Sequence, residues 1–343
     1  MFYFSIFIAG LALAIILTLA VKKIALYFKI VDSPAGQGGE RKIHLQTIPL
    51  LGGAAIFLAY FLILFLARGH FFSGPLAWPQ LLGFGAGALI IMIGGLLDDK
   101  YNLRPWQQII FPLLAVVAVI LGGVNIAKLT NPFGGVISLG AFSFVGSLII
   151  AVWLLGMMYT TKLLDGVDGL VTGVSAIGGL IIFLFTLTTR YYQPNIAFAA
   201  LLLTAVCLGF LIFNWHPAKI FLGEGGSLLL GFILGVLAII SGGKIAIALL
   251  VMGIPILDVA WTILRRLLAG HNPFRFADQK HLHHRLLALG LSQRQTVLVF
   301  YLFSLAFGLA GLFLQSRGKF WALVILVVIM SGVVVGFSRV KTA

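Results

Sequence analysis

Residues 81–105 read LLGFGAGALIIMIGGLLDDKYNLRP. From Leu81 to Leu97 the stretch carries no charge, and two adjacent carboxylates, Asp98 and Asp99, then close it. An uncharged run of this size is close to the ~20 residues an α-helix needs to cross the hydrocarbon layer of a bilayer. Two acids at the C-terminal end of a helix oppose its macrodipole, so function explains them better than local structure does. A membrane helix that ends in reactive groups is therefore the unit to seek along the rest of the chain.

The composition agrees with that reading. Of 343 residues 61% are apolar and only 9% are Asp, Glu, Lys or Arg, against about 25% charged in an ordinary soluble domain. A soluble enzyme is excluded, and 13% aromatic residues exclude a disordered chain. What remains is an all-α, polytopic integral membrane protein. Apolar runs near 3–21, 49–67, 81–97, 106–122, 143–160, 169–188, 195–213, 226–241, 245–264, 296–314 and 319–337 give about eleven expected spans. The single cysteine, Cys207, lies inside one of these runs and reads as core.

Charge placement sets the orientation. Lys22 and Lys23 follow the first run and no basic residue precedes it, which is the reverse of a signal peptide, so an uncleaved span with its N-terminus outside is expected. Eleven spans then put the C-terminus in the cytoplasm, together with the loops 22–48, 98–105, 161–168, 214–225 and 265–295. All basic residues except Arg68, Lys128, Arg190, Lys244, Arg317 and Lys319 fall on that side, as the positive-inside rule requires. In a soluble chain a net charge of +14 would suggest nucleic acid. Here it orients helices, so no nucleic-acid partner is expected. The acids also lie in or beside the inner loops, except Asp258 within the ninth run, and the rule for Lys and Arg does not explain them. The residues 123–142, GVNIAKLTNPFGGVISLGAF, predict a small hairpin on the outer surface. The whole chain, 1–343, reads as one transmembrane domain whose inner loops form the active site.

Those loops carry the chemistry. The stretch TKLLDGVDGL (161–170) sets Asp165 and Asp168 three apart, on one face if the sixth span begins there. In FLGEGGSLLLG (221–231) Glu224 sits in a glycine-flanked turn before an apolar helix, with Ser227 as a candidate cap. The densest cluster, HNPFRFADQKHLHHRLLALG (271–290), holds His271, Arg275, Asp278, Lys280, His281, His283, His284 and Arg285. Imidazole, guanidinium and ammonium groups all donate to phosphate oxygens, so an anion site explains this cluster at least as well as a metal does. RKIHLQTIPLLGG (41–53) adds Arg41, Lys42 and His44. Carboxylates and cationic donors at lipid depth suit a reaction between a soluble phosphorylated donor and a lipid-borne phosphate. Both reactants are anions, so the site must supply positive charge. No GxxxxGK[ST] occurs, so a nucleotide-hydrolysing motor has no support.

In this order, RKIH…PLLGG, GLLDD, LLDGVDGL, FLGEGGS and HLHHRLL resemble the polyprenyl-phosphate N-acetylhexosamine-1-phosphate transferases, over about Asp32 to Leu289. HLHHRLL and the eleven-span layout look more like the undecaprenyl-phosphate GlcNAc-1-phosphate branch than the ten-span phospho-MurNAc-pentapeptide branch. The resemblance implies transfer of a sugar-1-phosphate from a UDP-N-acetylhexosamine to undecaprenyl phosphate, with release of UMP. The product would start a cell-envelope polysaccharide at the plasma membrane. It implies Asp98 and Asp99 at the lipid phosphate, Asp165 and Asp168 in the donor pocket, and His281, His283, His284 and Arg285 on the pyrophosphate, with Arg41, Lys42 and His44 as further substrate-binding residues. It also implies Mg²⁺ near Glu224 and Asp165, and leaves room for a homodimer.

Two departures from the family pattern fall on that metal position. Tyr159 and Lys162 stand where the family usually has Asn, and Glu224 where it usually has Asp. Glu keeps a hard oxygen ligand, but an ammonium cannot coordinate Mg²⁺ and repels it. Lys162 is therefore expected to fill part of the metal's space, pair with Glu224 and contact the donor pyrophosphate. The rival readings are the MurNAc-pentapeptide donor and, in a different class, a lipid or solute transporter, for which Asp258 inside a span is the best support.

Overall fold

The computed structural model describes residues 1–32, 47–67, 69, 76–140, 143–188, 192–242, 245–268, 270 and 281–339. In chain order the elements are α1 (Phe2–Tyr27), β1 (Val31–Asp32), β2 (Ile48–Pro49), α2 (Gly52–Leu66), α3 (Trp78–Tyr101), α4 (Pro105–Gln108), α5 (Ile110–Leu121), β3 (Lys128–Thr130) and β4 (Val136–Ser138). Then follow α6 (Phe144–Leu164), α7 (Leu170–Thr186), α8 (Pro194–Asn214), α9 (Gly223–Ile240), α10 (Ile245–Val251), α11 (Gly253–Leu268), α12 (Leu282–Ala288), α13 (Gln293–Phe313) and α14 (Ser316–Arg339). The expected hairpin is β3–β4, antiparallel with Leu129 opposite Ile137.

Among the described residues seven helices, α1, α3, α6, α8, α9, α13 and α14, are long and apolar enough to cross a membrane. The ninth expected span is not one helix: α10 and α11 meet at an 81° bend, and counting the pair as one span gives eight. Pro255 explains the break, because it lacks an N–H and its ring clashes with the carbonyl four residues back, at Val251. The second, fourth and sixth expected spans are shorter apolar helices, Gly52–Leu66, Pro105–Leu121 and Leu170–Thr186. At 1.5 Å per residue, helices of 15 to 17 residues cover less than the ~30 Å hydrocarbon layer.

The most enclosed helix is α9, with 94% of its apolar window buried, against 17% for α14 at the periphery. It packs against α2, α3, α6, α7, α8 and α10. The outward faces of the peripheral helices are apolar, with Phe4, Ile16, Leu66, Leu121 and Val328 all exposed, as expected where lipid rather than water is the solvent. In lipid, small residues let helices approach closely, and two such contacts set the site. A Cβ on Gly95 of α3 would collide with the backbone of Gly225, and one on Gly53 of α2 with the backbone of Gly226. Both contacts press neighbouring helices onto the first turn of α9.

Candidate active site

Four loops meet at that turn. The amides of Gly52 and Gly53 donate to the carbonyls of Phe221 and Leu222 at 2.9 and 2.7 Å, and Phe221 donates to Pro49 O at 2.8 Å. This ties the 47–53 segment to the loop before α9. Gly223 has φ +73°, a left-handed conformation in which glycine avoids strain, and it turns the chain into α9. The close approach of α3 then brings Asp99 over the helix start, where its Oδ1 accepts the Glu224 N–H at 3.1 Å. Asp99, rather than Ser227, therefore caps α9. The Ser227 hydroxyl instead donates to the Glu224 carbonyl at 3.0 Å.

The connector between α6 and α7 supplies the next groups. Asp165 and Asp168 do not stack on a helix face as expected, because α6 ends at Leu164 and α7 begins only at Leu170. Left-handed Gly169 starts α7, and its carbonyl accepts from the Tyr301 hydroxyl of α13 at 2.6 Å. Asp168 Oδ2 pairs with His216 Nδ1 at 2.7 Å and accepts the Ala218 N–H at 3.0 Å. Asn214 accepts from the Thr172 hydroxyl at 2.8 Å and donates to Ile220 O at 3.0 Å, fixing the rest of that loop.

These groups surround a cavity of about 690 Å³ whose lining includes Asp32, Asp99, Lys162, Asp165, Asp168, His216, Glu224 and His284. The Asp165 carboxylate takes no hydrogen bond from the described residues. Its side chain is open to the interior of the cavity but protein encloses it. That desolvation first, then the charges of Glu224, Asp168 and Asp99, raises its pKa from 3.8 to about 8. Among the described residues of the lining, the acids therefore call for positive charge nearby.

Lys162 meets part of that demand. Its ammonium forms an ion pair with Glu224, as expected, donates to Gln108 Oε1 at 3.0 Å, and lies 5.7 Å from the centre of the Tyr159 ring. Gln108 in turn donates to Asp98 Oδ1 and Oδ2 at 3.0 and 3.2 Å, and Asp98 Oδ1 also accepts the Leu103 N–H at 2.8 Å. Asp98 therefore turns to Gln108 and is not part of the cavity lining, whereas Asp99 is.

The histidines separate in the same way. His284 lines the cavity. His281 Nδ1 pairs with Asp258 Oδ2 at 2.9 Å, while Asp258 Oδ1 accepts the Leu282 N–H at 2.9 Å, so Asp258 anchors the start of α12. His283 is buried beneath Gly166, with both ring nitrogens lacking a hydrogen-bond partner among the described residues. Burial first, then His284 and His281, holds its pKa well below the usual 6.5, so the ring is neutral. Arg285 lies on α12 and is not among the lining residues. Arg41, Lys42, His44, His271, Arg275, Asp278 and Lys280 lie outside the described residues. Gln108 and His216 belong to this network without standing out in the sequence. The signals for them were the polar pair Gln107–Gln108 at the head of an apolar run and the His that follows the last residues of α8.

The glycosyl transferase family 4 profile matches residues 81–242, the segment that carries every acid facing the cavity except Asp32. The chain is 32% identical to a probable undecaprenyl-phosphate N-acetylglucosaminyl 1-phosphate transferase of Bacillus subtilis, over 94% of this chain and 88% of that protein. The chain belongs to glycosyl transferase family 4. A decaprenyl-phosphate N-acetylglucosaminephosphotransferase of Mycolicibacterium smegmatis is 32% identical over 96% of this chain and 87% of its own length. An undecaprenyl-phosphate alpha-N-acetylglucosaminyl 1-phosphate transferase of Thermotoga maritima is 29% identical over 79% of each. This family 4 member is accordingly a phosphotransferase of the polyprenyl-phosphate N-acetylglucosamine-1-phosphate branch and a multi-pass membrane protein.

The Mg²⁺ implied by the family resemblance was expected at Glu224 and Asp165, and the arrangement of this family 4 site does not suit it. Glu224 faces the Lys162 ammonium, and no three His, Cys, Asp or Glu side chains among the described residues converge to hold a metal. A divalent ion at Glu224 would have to displace a like charge.

Proposed function

We propose that this enzyme transfers N-acetylglucosamine-1-phosphate from UDP-N-acetylglucosamine to undecaprenyl phosphate on the cytoplasmic face of the plasma membrane, releasing UMP. The observation that carries this reading is the convergence of Asp99, Asp165, Asp168, Lys162, Glu224 and His284 on one cavity at the end of a membrane-spanning bundle. Relatives matching nearly the whole chain bear names with this acceptor class and sugar.

In the reaction, an oxygen of the lipid phosphate forms a bond to the β-phosphorus of the donor. The bond from that phosphorus to the bridging oxygen breaks, and its electron pair leaves with UMP. A phosphate monoester has its second pKa near about 6, so the attacking oxygen is largely ionised at neutral pH and needs placement more than deprotonation. Asp99, fixed by the Glu224 amide, and Asp165, open to the cavity, flank the space where the reactants meet. His284 and Lys162 place positive or hydrogen-bonding groups on the same walls, where charge grows on the leaving phosphate.

The transporter reading loses its support, because Asp258 serves to hold His281 and the start of α12. The test is incubation of the detergent-purified protein with UDP-N-acetylglucosamine and radiolabelled undecaprenyl phosphate. UMP release with a labelled lipid pyrophosphoryl sugar is expected. Product only from UDP-MurNAc-pentapeptide, or none from any UDP-sugar, would overturn the proposal.

A further inference from the structure

Three groups enclose the Lys162 ammonium: the Glu224 carboxylate, the Gln108 amide oxygen at 3.0 Å and the Tyr159 ring with its centre at 5.7 Å. An ammonium has three N–H donors, and here a carboxylate, an amide oxygen and a π-face surround it. The side chain keeps 21% exposure and lines the cavity, so its charge still acts on whatever enters. Its position in the last turn of α6 adds the negative end of that helix to the attraction. A side chain held from several sides has little freedom to make way for an ion.

We infer that Lys162 is the resident cation of this active site and that the transfer proceeds without a divalent metal bound at Glu224. The inference rests on the transferase reading above. In it, the ammonium offsets the charge that passes to UMP as the bridging P–O bond breaks. Gln108 is a positioning residue: it grips Asp98 through its amide nitrogen and holds Lys162 through its amide oxygen. The charge that a metal would bring from solution is instead encoded in the chain.

The experiment has two readouts on the full-length protein in detergent, UMP release and Mn²⁺ binding followed by electron paramagnetic resonance. Release by the wild type in excess chelator is expected to stay within about two-fold of that with added Mg²⁺. Mn²⁺ alone should find no stoichiometric site. The double variant K162N/E224D, which removes the ammonium and shortens the acid, should gain one Mn²⁺ site and a release rate that depends on Mg²⁺. Abolition of wild-type release by chelator with recovery on Mg²⁺ would overturn the inference, as would one-to-one Mn²⁺ binding that is lost in Glu224→Gln. If no condition yields UMP, the transferase reading fails and the wild-type Mn²⁺ titration still decides the cation question. The wild-type arms stand even if the double variant does not fold. For Gln108→Leu, a kcat lower by about ten-fold with KM little changed separates positioning from substrate binding.

Discussion

Two cavities of similar size lie at opposite ends of the bundle, about 690 Å³ beside Asp99 and about 610 Å³ beside the β3–β4 hairpin. The helices α7 and α13 run from one to the other: Asp168 and Gln293 lie at the first, Thr188 and Phe313 at the second. The hairpin cavity has Arg317 and Lys319 in its lining and no carboxylate among its described residues, whereas the described lining of the first brings Asp32, Asp99, Asp165, Asp168 and Glu224 together with Lys162. Similar hollows thus differ in whether opposite charges from separate loops converge in them. That convergence, rather than the void, marks the reactive end.

The sharpest way to break the comparison is to neutralise an acid at one end and a base at the other. Asp99→Asn and Asp165→Asn are expected to lower UMP release by about 10²–10⁴-fold, since each removes a carboxyl group from the walls where the reactants meet. Lys319→Ala, at the hairpin cavity, is expected to stay within about two-fold. Comparable losses at both ends, measured on protein with normal melting behaviour, would remove the distinction.

A second contrast tests how the reactive end is built. Leu at Gly95 would drive α3 away from Gly225 and carry Asp99 off the start of α9. Overpacking costs about 1–3 kcal/mol, and a shift of roughly 1 Å at a catalytic group can cost about 10²-fold in rate. Gly156 on α6 has open space where a Cβ would go, so Gly156→Leu should change neither melting nor release. Equal effects of the two substitutions would mean that the α3–α9 contact does not position the site.

Much of this arrangement is legible in the sequence because the informative residues break the background around them. Asp98, Asp99, Asp165, Asp168 and Glu224 stand at the edges of uncharged runs, so both the helix ends and the candidate chemistry show at once. The less visible features depend on contacts between distant segments. That Asp99 caps α9 while Asp98 turns to Gln108 follows from the Gly95–Gly225 approach, which no local pattern encodes. The bend at Pro255 and the late start of α7 were hidden because hydropathy measures apolar length and not continuity of the helix. Asp258 looked like an isolated charge in a span for the same reason, since its partners His281 and Leu282 lie more than 20 residues on.

Asp258 also yields a smaller expected effect. Asp258→Asn weakens the charge-assisted contacts to His281 and the Leu282 amide, at a cost of about 1–3 kcal/mol. The melting midpoint in detergent should fall while UMP release per folded molecule drops less than in Asp165→Asn. A loss of release as deep as that of Asp165→Asn, with unchanged melting, would move Asp258 into the chemistry.

The smallest expected effect is a pH slope. The folded-state pKa of Asp165, about 8, lies above its ordinary 3.8 because of enclosure and then the neighbouring acids, so folding favours the protonated form. The stability this group contributes is fully present below 3.8 and is lost as pH rises through about 8. The melting midpoint of the substrate-free protein should therefore decline across that interval, modestly because the side chain is open to the cavity. Asp165→Asn cannot ionise and should flatten the decline, whereas Lys319→Ala at the other cavity should leave it unchanged. An unchanged slope in Asp165→Asn would show that the crowding of acids at the reactive end carries no electrostatic cost at Asp165, and the contrast between the two ends would lose its physical basis.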